Sequence, residues 1–220
     1  LFWNRSSEEK SQAGAAFVPT APRGPRTLRR STGWGNVLAF LRENENCVVM
    51  DVGPTSSSNV NFLTNLGCSI YLPDPLQDVA AGGWASTLGL EDEVARKAAV
   101  DRFLNESFSF SGRVFDCVLL WDTLDFLPDP LVQPLVDRLY EVIRPGGKVL
   151  SFYQSKMAEG ASTHRRYHVT DSSDVESQAG AGYLQQRVLQ NRNVEKIFQK
   201  FNSPKFSIAS DNMREVVFTR

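Results

Sequence analysis

The chain has 220 residues, of which 41% are hydrophobic and 22% charged, and a formal net charge of −1. That is enough for one large globular domain, or one domain with an extension. It gives no global attraction to nucleic acid or anionic lipid. No apolar run approaches the ~20 residues a bilayer span needs, and nothing reads as a secretory leader, so a cytoplasmic chain is expected. The first residue is Leu1, and an upstream segment stays open.

Residues 1–30 carry a net +4 and the remainder a net −5. Residues 1–31 read as a flexible basic arm, because Pro19, Pro22 and Pro25 interrupt any regular element. The arm could dock on an acidic protein partner, or it could be a solvated tail. The remaining residues, 32–220, form the domain. Ser31-Thr32 caps a helix that turns Trp34, Leu38 and Leu41 to one face. Residues 47–52 form a strand apolar on both faces, as a central parallel strand should be. A helix from Ser57 to Leu66 follows, with Val60, Phe62 and Leu63 inward, and Gly67 ends it. Ser69 to Leu72 is a second strand, closing on Pro73-Asp74.

Ala80 to Gly89 reads as a loop. Glu91 to Leu104 reads as a helix with Val94 and Ala98 inward, and Ser107 to Phe110 as a weak strand. Val114 to Trp121 is a strong strand ending at Asp122. An amphipathic helix over Asp129–Ile143 leads through Arg144-Pro145-Gly146-Gly147 into a strand from Lys148 to Tyr153. Residues 155–186 are polar, rich in Ser and Gly, and ambiguous. Within them Arg165-Arg166-Tyr167-His168 reads as a solvated basic loop, or as a contact for a substrate anion. A helix over Asn193–Phe201 precedes two strands, Lys205–Ser210 and Arg214–Arg220, joined by Asp211-Asn212. The alternation predicts a three-layer α/β/α sandwich on a mostly parallel sheet, with a C-terminal antiparallel hairpin.

Ligands of open α/β sheets bind beyond the carboxyl ends of the strands. Here those ends carry Asp51-Val52-Gly53, Pro73-Asp74 and Asp122-Thr123-Leu124-Asp125. The 23 residues from Asp51 to Asp74 suit a strand-end carboxylate that accepts both hydroxyls of a ribose. Cys47, Cys68 and Cys117 are odd in number and widely spaced, so they read as buried small hydrophobes rather than a disulfide or zinc set. With only His164 and His168 besides, no metal site is expected.

Four segments in order resemble class I S-adenosylmethionine-dependent methyltransferases. They are Val48 to Gly53, Tyr71 to Asp74, Phe115 to Asp122, and Leu139 to Leu150 with its Arg-Pro-Gly-Gly turn. The resemblance covers roughly residues 35–220 and implies a seven-stranded sheet and S-adenosylmethionine as cofactor. It places Asp51 and Gly53 beneath the methionine moiety, Asp74 on the ribose, Asn105 or a neighbour near the adenine, and Trp121 and Asp122 beside the sulfonium. Asp122 and Asp125 are then the nearest bases for an acceptor with a proton to lose.

The family's loop has glycine where this chain has Thr55 and Ser57. A Cβ at Thr55 crowds a ligand on the turn, and Pro54 removes a donor. The hydroxyls of Ser56, Ser57 and Ser58 lie at a helix start that favours an anion. The loop therefore binds the cofactor in a shifted pose, binds another anion, or binds nothing. Structural roles compete at each position: Asp51, Asp122 and Asp125 as caps, or Asp51 paired with a buried cation; Asp74 as a turn residue; Trp121 as core; Ser56 to Ser58 as a capping turn. The expected activity is methyl transfer to an unidentified acceptor. Alternatives are a methyltransferase-like binding module without catalysis and a nucleotide-binding dehydrogenase.

Overall fold

A computed structural model describes residues 24–157, 163–209, 211 and 213–220. The basic arm up to residue 23 and the Asn212 position of the last turn lie outside them. The elements in chain order are β1 (Thr27–Arg30), α1 (Thr32–Glu43), β2 (Val48–Asp51), α2 (Ser57–Asn65) and β3 (Ser69–Tyr71). Next come α3 (Pro75–Ala81), α4 (Trp84–Leu88), α5 (Glu93–Ser107), β4 (Phe115–Trp121), α6 (Thr123–Phe126) and α7 (Asp129–Val142). The chain ends with β5 (Ile143–Tyr153), β6 (Thr163–Val169), β7 (Asp174–Gly182), α8 (Asn191–Ile197), β8 (Asn202–Ile208) and β9 (Arg214–Thr219).

The larger sheet has the order β3-β2-β4-β5-β9-β8. β3, β2, β4 and β5 run parallel, and β9 pairs antiparallel with both β5 and β8. Every residue of β4 is buried, as a central strand covered on both faces must be. Its alternate side chains feed two cores. Val118 and Leu120 join Phe103, Leu135, Leu139 and Phe218, while Cys117, Leu119 and Trp121 join Trp34, Leu38, Leu63 and Phe152. These are the α5–α7–α8 side and the α1–α2 side of a three-layer sandwich.

The cap of α1 is as read from the sequence: the Ser31 hydroxyl accepts the Trp34 amide at 3.0 Å. The Arg-Pro-Gly-Gly turn is a bulge in the β4–β5 ladder. Ile143 pairs with Phe115 and Lys148 with Cys117, so residues 144–147 arch out opposite Asp116 alone. Gly146 has φ +82° there, and a Cβ on Gly147 would stand 3.0 Å from the Asp116 carbonyl.

Several expectations are corrected. The larger sheet has six strands, not seven. Residues 108–110 form no strand; Phe108 and Phe110 pack edge-on in the core instead. The segment 80–89 is not a loop but the end of α3 and all of α4, and Val94 is 80% exposed. The expected arm does not run on to residue 31, because Thr27–Arg30 form β1 and pair with β7. The ambiguous polar stretch supplies β6 and β7, which with β1 make a second, antiparallel sheet of order β1-β7-β6. All three cysteines are free and buried. Among the described residues no helix is long and apolar enough to cross a membrane, and no group of three or more His, Cys, Asp or Glu could hold a metal ion.

A buried ion pair fastens the second sheet to the first. Arg29 of β1 reaches Glu215 of β9 at 2.8 Å, both side chains at most 4% exposed. Glu215 also accepts the Ser31 hydroxyl at 3.0 Å and the Gly33 amide at 2.9 Å. Removing Glu215 leaves the buried Arg29 with only the part-exposed Asp211, 2.9 Å away, and strips the acceptor from Ser31 and Gly33, at a cost of about 3 kcal/mol. Glu215→Ala is expected to lower unfolding free energy by about 3 kcal/mol in urea titration. A change below ~1 kcal/mol, the surface-pair range, would show that the pair does not clamp the sheets.

Candidate functional site

The loop after β2 is built around the Asp51 carboxylate, which is 1% exposed. Trp121 Nε1 donates to its Oδ1 at 2.7 Å. The Thr55 hydroxyl donates to its Oδ2 at 2.5 Å, and Asn59 Nδ2 at 3.1 Å. Asp51 thus neither caps α2 nor pairs with a cation; the cap is Ser56, whose hydroxyl accepts the Asn59 amide at 3.2 Å. Burial pushes the Asp51 carboxyl above the ordinary carboxylate range, and the three donors hold it down in part. Of the two residues standing where glycines were expected, Thr55 turns inward to Asp51 and Ser57 is exposed at the first turn of α2.

Trp121 has φ +48°, a left-handed conformation rarely tolerated by a bulky side chain. It follows a register shift between Leu119 and Trp121. The twist brings the indole over Asp51 and into a parallel stack with Tyr167 of β6, with centroids 4.9 Å apart. Trp121 is therefore part of the core.

β6 roofs the strand ends. Asn59 ties it down through its own amide, donating to the Tyr167 carbonyl at 3.0 Å and accepting the Val169 amide at 2.8 Å. His168 Nδ1 lies 3.2 Å from the Ser58 hydroxyl. His164, fully buried, stands over Gly53, which has φ +110°; a Cβ built on that glycine would be 3.6 Å from His164 Cε1 and 3.8 Å from Thr123 Oγ1. His164 Nε2 lies 3.2 Å from Asp122 Oδ1.

Asp122 and Asp125 are both fully buried. Asp122 makes no cap bond, and its Oδ2 accepts Gln154 Nε2 at 3.2 Å. Asp125 Oδ2 accepts the Gln154 amide at 2.6 Å. Asp122 Oδ1, Thr123 Oγ1, Asp125 Oδ1 and both His164 ring nitrogens are buried without an aligned hydrogen bond. Orphaned groups at this density are unusual in a folded interior. Here they gather around Gly53 and the end of β4.

Asp74 follows β3 and caps α3, its Oδ1 accepting the Gln77 amide at 3.1 Å. It remains partly exposed; burial pushes its carboxyl up, while the Gln77 bond and nearby His164 pull it down. The helix it caps also walls a cavity of about 420 Å³, through Leu76 and Val79, with Leu88, Phe126 and Tyr183 opposite. Asn105 does not lie at a strand end: it sits inside α5, exposed, with its carbonyl accepting Arg138 Nη2 at 3.3 Å. The structure therefore brings Asp51, Gly53, Thr55, Trp121, Asp122 and Asp125 together, sets Asp74 at the edge, and leaves Ser57 and Asn105 outside. Asn59 and His164 were missed. Asn59 was legible as the third residue of a helix start, but His164 lay in a stretch without apolar alternation.

No protein-family model matches the chain, and no curated protein does. Solved structures that match include methyltransferases. A candidate O-methyltransferase from Nostoc punctiforme is 17% identical, with 84% of this chain and 55% of that one covered and a TM-score of 0.44. A glycopeptide N-methyltransferase complexed with S-adenosyl-L-homocysteine is 13% identical, with 86% and 89% covered and a TM-score of 0.45. A SAM-dependent methyltransferase from Methanosarcina mazei is 12% identical, with 80% and 93% covered and a TM-score of 0.44. This chain thus spans about half the length of the Nostoc protein. The fold is α/β by its own elements and sheet order; likeness at these values reaches neither family nor activity.

Burial pushes the Asp125 carboxyl up to about 8 from its ordinary 3.8, with the Gln154 amide pulling it down and Asp122 pushing it further up. Between those values the folded chain holds a proton that the unfolded chain releases, so stability falls as pH rises from about 4 to about 8. Asp125→Asn keeps an acceptor for the Gln154 amide and carries no titrating proton. Its melting temperature should fall less than the wild type's between pH 5 and pH 8 in calorimetry. Parallel profiles for the two proteins would contradict the assignment.

Proposed function

We propose that this chain is an S-adenosylmethionine-dependent methyltransferase whose cofactor lies across the carboxyl ends of β3, β2 and β4. The observation that carries the reading is the set of buried polar groups by Gly53 that the described residues leave without a hydrogen bond, Thr123 Oγ1 and His164 Nδ1, next to the His164–Asp122 pair. Each costs about 1–3 kcal/mol if nothing meets it, and together they suit the polar end of an amino-acid-bearing ligand. Asp74, partly exposed at the start of a helix that walls the apolar cavity, suits a ribose and its base. When bound, S-adenosylmethionine supplies a methyl group activated by its sulfonium; the acceptor's lone pair forms the new bond as the carbon–sulfur bond breaks and its electron pair stays on sulfur.

The chain's own task is alignment and exclusion of water. Gly53 lets backbone approach the ligand, Asp74 accepts the ribose hydroxyls, and Trp121 walls the reacting end. Where the acceptor has a proton to lose, His164 takes it, and Asp122, 3.2 Å away, holds the imidazole for that role. Asp125 is a poorer base at neutral pH, because burial keeps its proton on up to about pH 8.

One observation favours a second reading, a binding module without catalysis. Thr55 and Asn59 already saturate Asp51 Oδ2, and His164 stands over Gly53. Isothermal titration with S-adenosylhomocysteine separates the two. Saturable heat with a dissociation constant below 1 mM is expected. Asp74→Ala should weaken it at least about tenfold, since hydrogen bonds to a charged group are worth ~1.5–3 kcal/mol, with the far-ultraviolet dichroism unchanged. No heat at millimolar ligand would leave the second reading standing.

A further inference from the structure

A second cavity, of about 850 Å³, opens where the small sheet meets the β5–β9 end of the larger one. Its size is that of a small-molecule site. Its lining is electrostatically one-sided. Lys156, Arg165 and Arg214 line it, and none has a carboxylate partner among the described residues. Arg165 Nη1 donates to the Ser177 hydroxyl at 3.1 Å. Arg214 donates to the Asn191 side chain at 3.0 Å and to the carbonyls of Gln154 and Leu189. The acid in the lining, Asp211, is engaged by Arg29 at 2.9 Å. Arg29 is itself spent on Asp211 and Glu215, and its Nη1 is buried and unpartnered.

The opposite wall is apolar. Leu28 and Ile208 line the cavity while 63% and 73% exposed, with the buried Met213 between sheets. Large aliphatic side chains left open beside Lys156 and Arg165, which make no ion pair among the described residues, call for an occupant with an apolar body and an anionic head. A long polyanion is disfavoured by the chain's net charge of −1 and by the concave shape between two sheets.

The cavity also communicates with the strand ends. Gln154 lines it and makes both contacts that reach the buried acids, its side chain to Asp122 at 3.2 Å and its amide to Asp125 at 2.6 Å. We infer that this cavity binds a small organic anion, a carboxylate or phosphate ester with an apolar portion, held by Lys156, Arg165 and Arg214 against Leu28 and Ile208. Only the further step, that this anion is the methyl acceptor, rests on the methyl-transfer reading.

The test uses the whole chain without cofactor. Isothermal titration with 4-phenylbutyrate and with phenyl phosphate is compared with titration of the uncharged 4-phenylbutyramide, at constant ionic strength. At least one anion should bind with a millimolar or tighter dissociation constant and the amide at least tenfold more weakly; which anion binds tells carboxylate from phosphate. Lys156→Gln with Arg165→Gln should weaken the bound anion at least tenfold. Lys97→Gln with Lys200→Gln, the same charge change at exposed positions on α5 and after α8, should leave it within twofold. Circular dichroism confirms that both variants fold, and neither touches the Arg214 contacts to backbone. If neither anion binds, if the amide binds as well, or if both double variants weaken binding alike, the site is wrong. Because no cofactor enters, failure here leaves the S-adenosylhomocysteine titration untouched, and failure there leaves this pocket standing.

Discussion

The burial of one carboxylate governs the functional end of this molecule. Asp51 ends β2 in the middle of a parallel sheet, 1% exposed and without a cation beside it among the described residues. A bare charge there would cost several kcal/mol. The chain meets it with three donors from three places: the indole of Trp121, the hydroxyl of Thr55 and the amide of Asn59. Each donor carries a structural consequence. Trp121 takes a left-handed backbone conformation to reach Asp51, a strain that persists only where surroundings over-determine it. Asn59 uses its remaining donor and acceptor on the backbone of β6. The small sheet is thereby registered on the large one through a single side-chain amide.

At its other edge the small sheet is held by charge rather than by an amide. Arg29 and Glu215 are both buried, and Glu215 also gathers the first turn of α1. The close approach leaves no room for a side chain at Gly33, where a Cβ would stand 2.5 Å from Leu150 Cδ1. The basic cavity opens beside this ion pair, with Arg29 in its lining.

The parallel half of the fold was legible because its physics is local. Continuous apolar runs at Val48–Met50 and Val118–Trp121, a glycine after α2, and a capped amphipathic α1 each state one element unambiguously. The second sheet was hidden because its strands bury few apolar side chains. Tyr167, Val169 and Val175 are the main ones, interleaved with arginine, histidine and serine that face the site or the cavity. Gly180, in the stretch that read as ambiguous, is there for proximity: a Cβ on it would meet the His164 carbonyl at 2.6 Å. The three strand-end acids could be found from spacing, but their partners could not. Asp122 and Asp125 are joined through Gln154, which lies 32 residues from the first, and Asp51 is joined through a tryptophan 70 residues away.

On the methyl-transfer reading, Thr55 is less of an obstacle than its position suggests. Its hydroxyl supplies a neutral donor to Asp51 Oδ2. A ligand ammonium placed against the same oxygen would supply a charge-assisted one, roughly twice as strong, so an exchange costs about one neutral hydrogen bond, ~1 kcal/mol, and returns more. His164 is a different matter. It is carried by β6, whose paired residues run from Thr163 to Val169 along β7 and whose backbone is gripped by Asn59. Clearing the face of Gly53 means displacing a ladder or turning a fully buried imidazole. Ligand access at this site is therefore set by the inserted sheet, and the loop that first looks damaged is the more yielding of the two.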